Sequence, residues 1–257
     1  DPVDSEEDTG DETHENHDDD HDTGASAGRE DTANPASSGK SKGCHVVSSN
    51  LAFFPVLLCM LGLNTVRGDV AAGENGLAAL VGRETEARAA IDQAISYAAV
   101  IDTPKIHVMA GFAAGDQAEA CFVENLRYAT AAAPDVTFLI EPLNHHDAPG
   151  YFLDHTDKAR RIIETVGASN LKLMFDCYHV QILEGDLTRR LSANLDITGH
   201  IQFAGVPDRG RPDRGEIDYR HVFAHIGALG YDAPLGAEYK PENGDTDASL
   251  GWMSTLG

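Results

Sequence analysis

Short apolar runs alternate with longer amphipathic stretches from Val56 to the end of the chain, and this alternation constrains the fold more than any other feature. Buried strands read as apolar runs of this kind, whereas a surface helix repeats its apolar residues every three or four positions. The runs predict strands at Val56 to Leu63, Lys105 to Met109, Val136 to Ile140, Leu171 to Phe175, His200 to Phe203 and Pro234 to Ala237. The amphipathic stretches predict helices at Arg83 to Val100, Gln117 to Ala133, His155 to Val166, Asp186 to Leu195, Tyr219 to Leu229 and Asp247 to Leu256. In the first of these, Ala87, Ile91, Ala94, Ile95 and Ala98 recur at helical spacing, with charges on the other face. Strand–helix alternation implies an α/β fold with a parallel sheet and right-handed crossovers. About six such βα units are present, where a closed α/β barrel needs eight. Either the first quarter of a barrel is missing or the sheet is open.

Four polar residues stand where these apolar runs end. They are Glu141 after Val136 to Ile140, Asp176 after Leu171 to Phe175, Gln202 inside His200 to Ala204, and Glu238 after Leu235 to Ala237. A carboxylate in such a place is costly unless it is paired or bound to a metal. Four such positions suggest one site assembled from neighbouring parallel strands, as the active face of a barrel is. All four donate oxygen, which favours a hard divalent ion such as Mg²⁺ or Mn²⁺ over zinc. Taken singly, each has a plainer reading as a helix cap or the partner of an arginine.

Composition matters chiefly for what it excludes. Residues 1–40 hold 14 acidic and 2 basic side chains, so this stretch carries about half of the formal charge of −23. Residues 1–49 are nearly free of large apolar side chains and are expected to form a disordered acidic tail, with the barrel domain at residues 50–257. His14, His17 and His21 lie beside acidic residues in this tail; a solvated tail is the plainer reading than a metal site. Nucleic acid and anionic membrane are not expected partners, because no basic stripe is present. The apolar run Leu51 to Leu63, broken by Pro55, is short for a membrane span. Cys44, Cys59, Cys121 and Cys177 form no CxxC pair and read as core thiols in a reducing, cytoplasmic setting. Neither a GxGxxG nor a P-loop follows a strand, so nucleotide binding has no support.

Other polar residues near the strand ends could contact a substrate. His179 lies three residues beyond Asp176, at the start of an expected loop, where it could orient a hydroxyl or shuttle a proton. His107 lies inside a strand, facing either the lumen or the helix layer, and a core histidine is its plainer reading. Arg209, in the loop after Gln202, could hold a carboxylate through two parallel hydrogen bonds or form a surface ion pair. His145 and His146 read as an ordinary polar loop.

Several runs resemble hydroxypyruvate isomerases, members of the wider xylose-isomerase-like barrels that also include the ketose 3-epimerases. The runs are Gly62-Leu-Asn-Thr-Val-Arg-Gly-Asp69, Gly73-Glu-Asn-Gly-Leu77, Gly82-Arg-Glu84, His107-Val-Met-Ala-Gly111, Phe175-Asp-Cys-Tyr-His-Val-Gln181, Gln202-Phe-Ala-Gly-Val-Pro-Asp-Arg209, Gly215-Glu-Ile-Asp-Tyr219 and Glu238-Tyr-Lys-Pro241. The resemblance extends from about Leu61 to the last residue. It implies a TIM-type (β/α) barrel and an oxygen-ligated divalent metal. It makes Glu141 and Glu238 the paired acid and base; Glu141, Asp176, Gln202 and Glu238 the metal ligands; and His107, His179 and Arg209 substrate contacts. Gln202 stands where the epimerases usually carry histidine, which favours the isomerase branch.

Relatives of this kind carry two further βα units before the segment matching Leu61. Here the acidic tail and the Leu51 to Met60 run occupy that place. A fragment, a misread gene product and a protein that borrows strands from a partner all remain open, and a homo-oligomer is compatible with the last. The resemblance implies interconversion of hydroxypyruvate and tartronate semialdehyde, so the expected partner is a small 2-oxo acid substrate. Isomerisation or epimerisation of a larger 2-oxo sugar acid or ketose is the alternative within enzymes. An inactive interaction protein, working through its tail, is the alternative outside them.

Overall fold

The computed structural model describes residues 62–256. The tail 1–49, the run Leu51 to Met60, Cys44, Cys59 and most of the first expected strand lie outside the described residues. Six strands form one parallel sheet in sequence order: β1 (Leu63–Asn64), β2 (Lys105–His107), β3 (Thr137–Ile140), β4 (Leu171–Asp176), β5 (Thr198–Phe203) and β6 (Gly236–Ala237). Among the described residues no ladder joins β1 to β6, so the sheet is a partial barrel with one free edge at each end. The helices between strands are α1 (Glu84–Ile101), α2 (Asp116–Ala132), α3 (Thr156–Val166), α4 (Cys177–Leu183), α5 (Leu187–Asn194) and α6 (Tyr219–Ala228), and α7 (Met253–Leu256) follows β6.

The sheet's two faces follow from the period-2 alternation of a strand. Phe138, Ile140, Leu173, Phe175, Ile201 and Phe203 point outward into a buried cluster with Ile91, Phe122, Leu126 and Ile162 from the helices. Burying each such side chain contributes roughly 1.5–3 kcal/mol before chain entropy is counted. The alternate positions face the lumen, which directs Glu141, Asp176 and Gln202 inward. An aromatic group closes the β5 end of the core, where Phe203 meets Phe223 at 4.8 Å, Tyr219 at 5.5 Å and Trp252 at 5.6 Å between ring centroids. The buried Tyr219 hydroxyl donates to the Ala204 carbonyl at 2.7 Å and accepts from the Ala204 N–H at 3.2 Å, which fixes the backbone beyond Gln202.

Two local expectations are corrected. His179 lies in helix α4 and not in a loop, because Asp176 caps that helix by accepting the Tyr178 N–H at 2.9 Å. The final stretch is mostly a 3₁₀ segment, Ala248–Trp252, before the short α7. Gly251 and Ser249, whose hydroxyl donates to the Thr246 carbonyl at 2.8 Å, weaken a continuous α-helix there. Cys121 and Cys177 are buried and unpaired with each other, in keeping with core thiols. Among the described residues no helix is long and apolar enough to cross a membrane.

The loop after β1 is tied to the loop after β2 by glycine. Gly76 bridges Ala110 at φ +116°, and a Cβ there would stand 2.6 Å from the Met109 carbonyl carbon and oxygen. The obstacle is backbone, which cannot swing aside. Gly76→Ala is therefore expected to cost about 2 kcal/mol or more, read as a lowered midpoint in urea unfolding; an unchanged midpoint would show that the loop yields without cost.

Candidate active site

All four strand-end residues lie at the C-terminal end of the sheet. Glu141 directly follows β3, Asp176 closes β4, Gln202 is inside β5, and Glu238 directly follows β6. Asp176 and Gln202 are register partners across β4 and β5, and Gln202 pairs in turn with Gly236 of β6. A Cβ on Gly236 would stand 2.9 Å from His200 Nε2 and 3.3 Å from Gln202 Cγ, so the missing side chain leaves both groups their room. Glu141, Asp176 and Gln202 are buried, whereas the Glu238 side chain is 50% exposed. The difference follows from position, since Glu238 stands on an edge strand. Its backbone is held by an N–H to the Phe203 carbonyl at 3.1 Å.

Arg209 is the cation that faces these carboxylates. Its Nη2 stands 3.1 Å from Glu238 Oε2 and 3.6 Å from Asp176 Oδ2, and its Nη1 stands 3.7 Å from Asp147 Oδ2. The guanidinium also lies over the Tyr178 ring, 5.2 Å from its centroid. Arg209 pairs with the strand-end carboxylates themselves. Burial works against the Arg209 charge, but Glu238, Asp176, Glu141 and Asp147 outweigh it and raise its pKa.

One arginine does not neutralise this cluster. Burial, reinforced by the Asp176 and Glu238 charges, pushes the Glu141 pKa well above the usual carboxylate range, with Arg209 opposing. Burial likewise raises Asp176 to about 7, with Arg209 opposing and Glu238 reinforcing. Near neutral pH the site therefore retains protons that a cation could displace.

The two histidines differ in role. His179 Nδ1 accepts the Asn144 backbone N–H at 3.0 Å and lies 2.8 Å from Asn144 Nδ2. The Asn144 amide is oriented by its Oδ1, which accepts the N–H groups of His146 and Asp147 at 3.0 Å each. With Nδ1 taken as acceptor, the neutral ring carries its hydrogen on Nε2, which lies 3.8 Å from Asp176 Oδ2. Burial and the Arg209 charge lower the His179 pKa to about 3, so the ring is neutral. His107 is buried, with Nδ1 3.2 Å from Asn64 Oδ1 and 3.7 Å from Glu141 Oε2. It faces the lumen, and the helix-layer alternative is set aside. Burial, then the Arg67 charge, lowers its pKa to about 4.

The site has unspent hydrogen-bonding capacity. His107 Nε2, Glu141 Oε1, Asp176 Oδ2, His179 Nε2 and Gln202 Oε1 are buried without a hydrogen-bond partner. Buried polar atoms are nearly always satisfied, so a group of such atoms at one end of a sheet marks a place for a ligand. Ligand atoms of Glu141, Asp176 and His179 lie within 4.8 Å of one another. The carboxylates and the Gln202 carbonyl suit a hard divalent cation. His179 presents an N–H and not a lone pair, which makes it a donor beside that cation and not a ligand to it. Glu238 stands outside the 4.8 Å group and meets it across Arg209.

Sequence reasoning named His179 but missed what orients it. Asn144, three residues after Glu141, acts through two backbone N–H groups and one imidazole, and only the turn-forming habit of asparagine hints at this. His145 and His146 are exposed loop residues, as expected.

Comparison with known proteins agrees with this architecture. The xylose isomerase-like TIM barrel profile matches residues 58–256. The 2-oxo-tetronate isomerase of Cupriavidus necator is 50% identical over 196 residues, covering 74% of this chain and 75% of that protein. The hydroxypyruvate isomerase of Escherichia coli is 43% identical, covering 74% of this chain and 76% of its own. A crystal structure described as an AP endonuclease, family 2, from Brucella melitensis superposes with a TM-score of 0.71 at 41% identity, covering 75% of this chain and 76% of the other. The chain belongs to the xylose isomerase-like TIM barrel family, beside the hydroxypyruvate and 2-oxo-tetronate isomerases.

Proposed function

We propose that the chain isomerises a short 2-oxo acid, interconverting hydroxypyruvate and tartronate semialdehyde. The observation that carries this reading is the group of five buried polar atoms without partners at the C-terminal end of the sheet. Glu141, Asp176, Gln202 and Glu238 would hold a divalent cation, Mg²⁺ or Mn²⁺, and the raised carboxylate pKa values support a role for added positive charge. When bound, that cation would polarise the substrate carbonyl and the neighbouring hydroxyl.

The chain's own residues carry the proton transfers. One of Glu141 and Glu238 takes a proton from C3 of hydroxypyruvate; the C3–H pair forms the C2–C3 double bond as the carbonyl pair moves onto O2, giving an enediolate. The other glutamate delivers a proton to C2, while the hydroxyl proton passes from O3 to O2. C3 is oxidised and C2 reduced within the same molecule, so no outside oxidant is needed, and the two glutamates, left with exchanged protonation states, are reset by proton exchange before the next turnover. His179 Nε2–H would donate to the oxygen that gains charge. His107 Nε2, with its own Nδ1 against Asn64, would accept from a substrate hydroxyl. Arg209 would contact the substrate from the Glu238 side and keep that carboxylate in place.

A second reading is favoured by the 50% identity to a 2-oxo-tetronate isomerase. Its four-carbon substrate would use the same glutamates. Comparing kcat/KM for hydroxypyruvate and 2-oxo-tetronate separates the two, and turnover of neither would sink the isomerase reading.

Glu141→Gln and Glu238→Gln are each expected to lower kcat by about a hundredfold or more while leaving the thermal melt in place. Near-normal turnover in either variant would remove that residue from the chemistry. Binding of a divalent ion must displace the proton held by Asp176, whose pKa is raised to about 7, and the histidines titrate too low to interfere. Mn²⁺ affinity, measured by calorimetry in buffers of different ionisation heat, should therefore rise from pH 5.5 to 8, with the proton released on binding largest at the low end and fading toward the high end. Equal affinity at both ends would count against these ligands.

A further inference from the structure

Asn144 is fully buried and uses both ends of its side-chain amide. Its Oδ1 accepts the backbone N–H groups of His146 and Asp147 at 3.0 Å each. Two N–H donors aimed at one atom identify that atom as the oxygen, and turning the amide over would leave both donors unpaired. Its Nδ2 therefore faces His179 Nδ1 at 2.8 Å and donates to Asp147 Oδ2 at 3.3 Å. The Asn144 backbone N–H points at the same ring nitrogen from 3.0 Å. Two donors thus converge on His179 Nδ1, and a nitrogen approached in this way keeps its lone pair.

The consequence falls on the far side of the ring. His179 Nε2 lies 3.8 Å from Asp176 Oδ2. Glu141, Asp176 and His179 have ligand atoms within 4.8 Å of one another, and His179 supplies the one nitrogen of that group. Two carboxylates and an imidazole with a free Nε2 lone pair would make a mixed oxygen and nitrogen set, which zinc favours. A histidine is given such a lone pair by an acceptor, a carboxylate or carbonyl, at its other nitrogen. Here two donors occupy that place. The choice between ligand and donor is thus made from another element, since Asn144 lies in the loop after β3 and His179 lies in α4.

We infer that Asn144 is a positioning residue that sets the cation preference of the site: by fixing His179 as a donor, it withholds the imidazole from the ion and leaves an all-oxygen set. The assignment rests on the divalent-cation reading above and deepens it. Asn144 acts through His179 and touches neither the ion nor the substrate.

Asn144→Asp isolates this role. The aspartate keeps an oxygen for the His146 and Asp147 N–H groups and reverses only the group that faces His179. Proton–nitrogen correlation spectra of ring-labelled histidine, recorded near neutral pH on the full chain without metal, report which nitrogen carries the hydrogen. The unaltered chain should show it on His179 Nε2, the signal being identified by its loss in His179→Ala. In Asn144→Asp it should move to Nδ1. Competition between Zn²⁺ and Mn²⁺ should then shift toward Zn²⁺ by about tenfold or more, the range in which partners of a ligating histidine act. Adding His179→Ala to Asn144→Asp should cancel that shift. A hydrogen on Nδ1 in the unaltered chain would overturn the assignment with no variant needed. So would a loss of Zn²⁺ preference in His179→Ala alone, which would make His179 a ligand already. An unchanged ring or an unchanged ion preference in Asn144→Asp would overturn it too, as would a shift that survives His179→Ala. Failure of the unaltered chain to take up either ion is a different result: it would sink the cation reading itself, and the role of Asn144 in ion choice with it.

Discussion

Negative charge confined at the ends of apolar strands is the constraint on which the rest of the site depends. Glu141 and Asp176 are buried, Glu238 and Asp147 stand close enough to be felt, and Arg209 answers all four. Removing a carboxylate from water without full compensation is costly, and the fold meets that cost in two ways. One is the arginine. The other is retention of protons, which the raised Glu141 and Asp176 pKa values express. Both are provisional in chemical terms, because a divalent cation supplies the same compensation without needing either.

The histidines show how the same residue type is given opposite duties by its neighbours. Asn144 occupies His179 Nδ1 from two sides and so sends the imidazole hydrogen toward Asp176. His107 instead turns Nδ1 toward Asn64 and Glu141 and leaves Nε2 facing the lumen without a partner. Neither ring is protonated near neutral pH, so each contributes a directed dipole and not a charge. Fixed positive charge comes from Arg209 on the loop after β5, which faces more carboxylates than it can satisfy.

Much of the fold was legible because it rests on local periodicity. The runs at Lys105, Val136 and Pro234 each contain the strand that forms, those at Leu171 and His200 fall one and two residues short of theirs, and Arg83 to Val100 differs from α1 by one residue at each end. Asp176 combines two of the roles its position allows, since one of its oxygens caps α4 and the other faces the site. The order of the strand-end residues could be read from the chain, but their environments could not. Exposure of Glu238 depends on the edge position of β6, and the engagement of Arg209 depends on side chains from four separate segments. Those are long-range facts that no window of sequence contains.

The edge position of Glu238 has a consequence for the history of each hydrogen atom. On the proposed roles, the glutamate on β6 is half open to water and would trade its proton with the bulk between one turnover and the next. Glu141, enclosed among strands, would hold its proton for longer. A label entering from heavy water would then arrive at one face of the substrate sooner than at the other. The asymmetry of a partial barrel would thus be written into the isotopic pattern of its product.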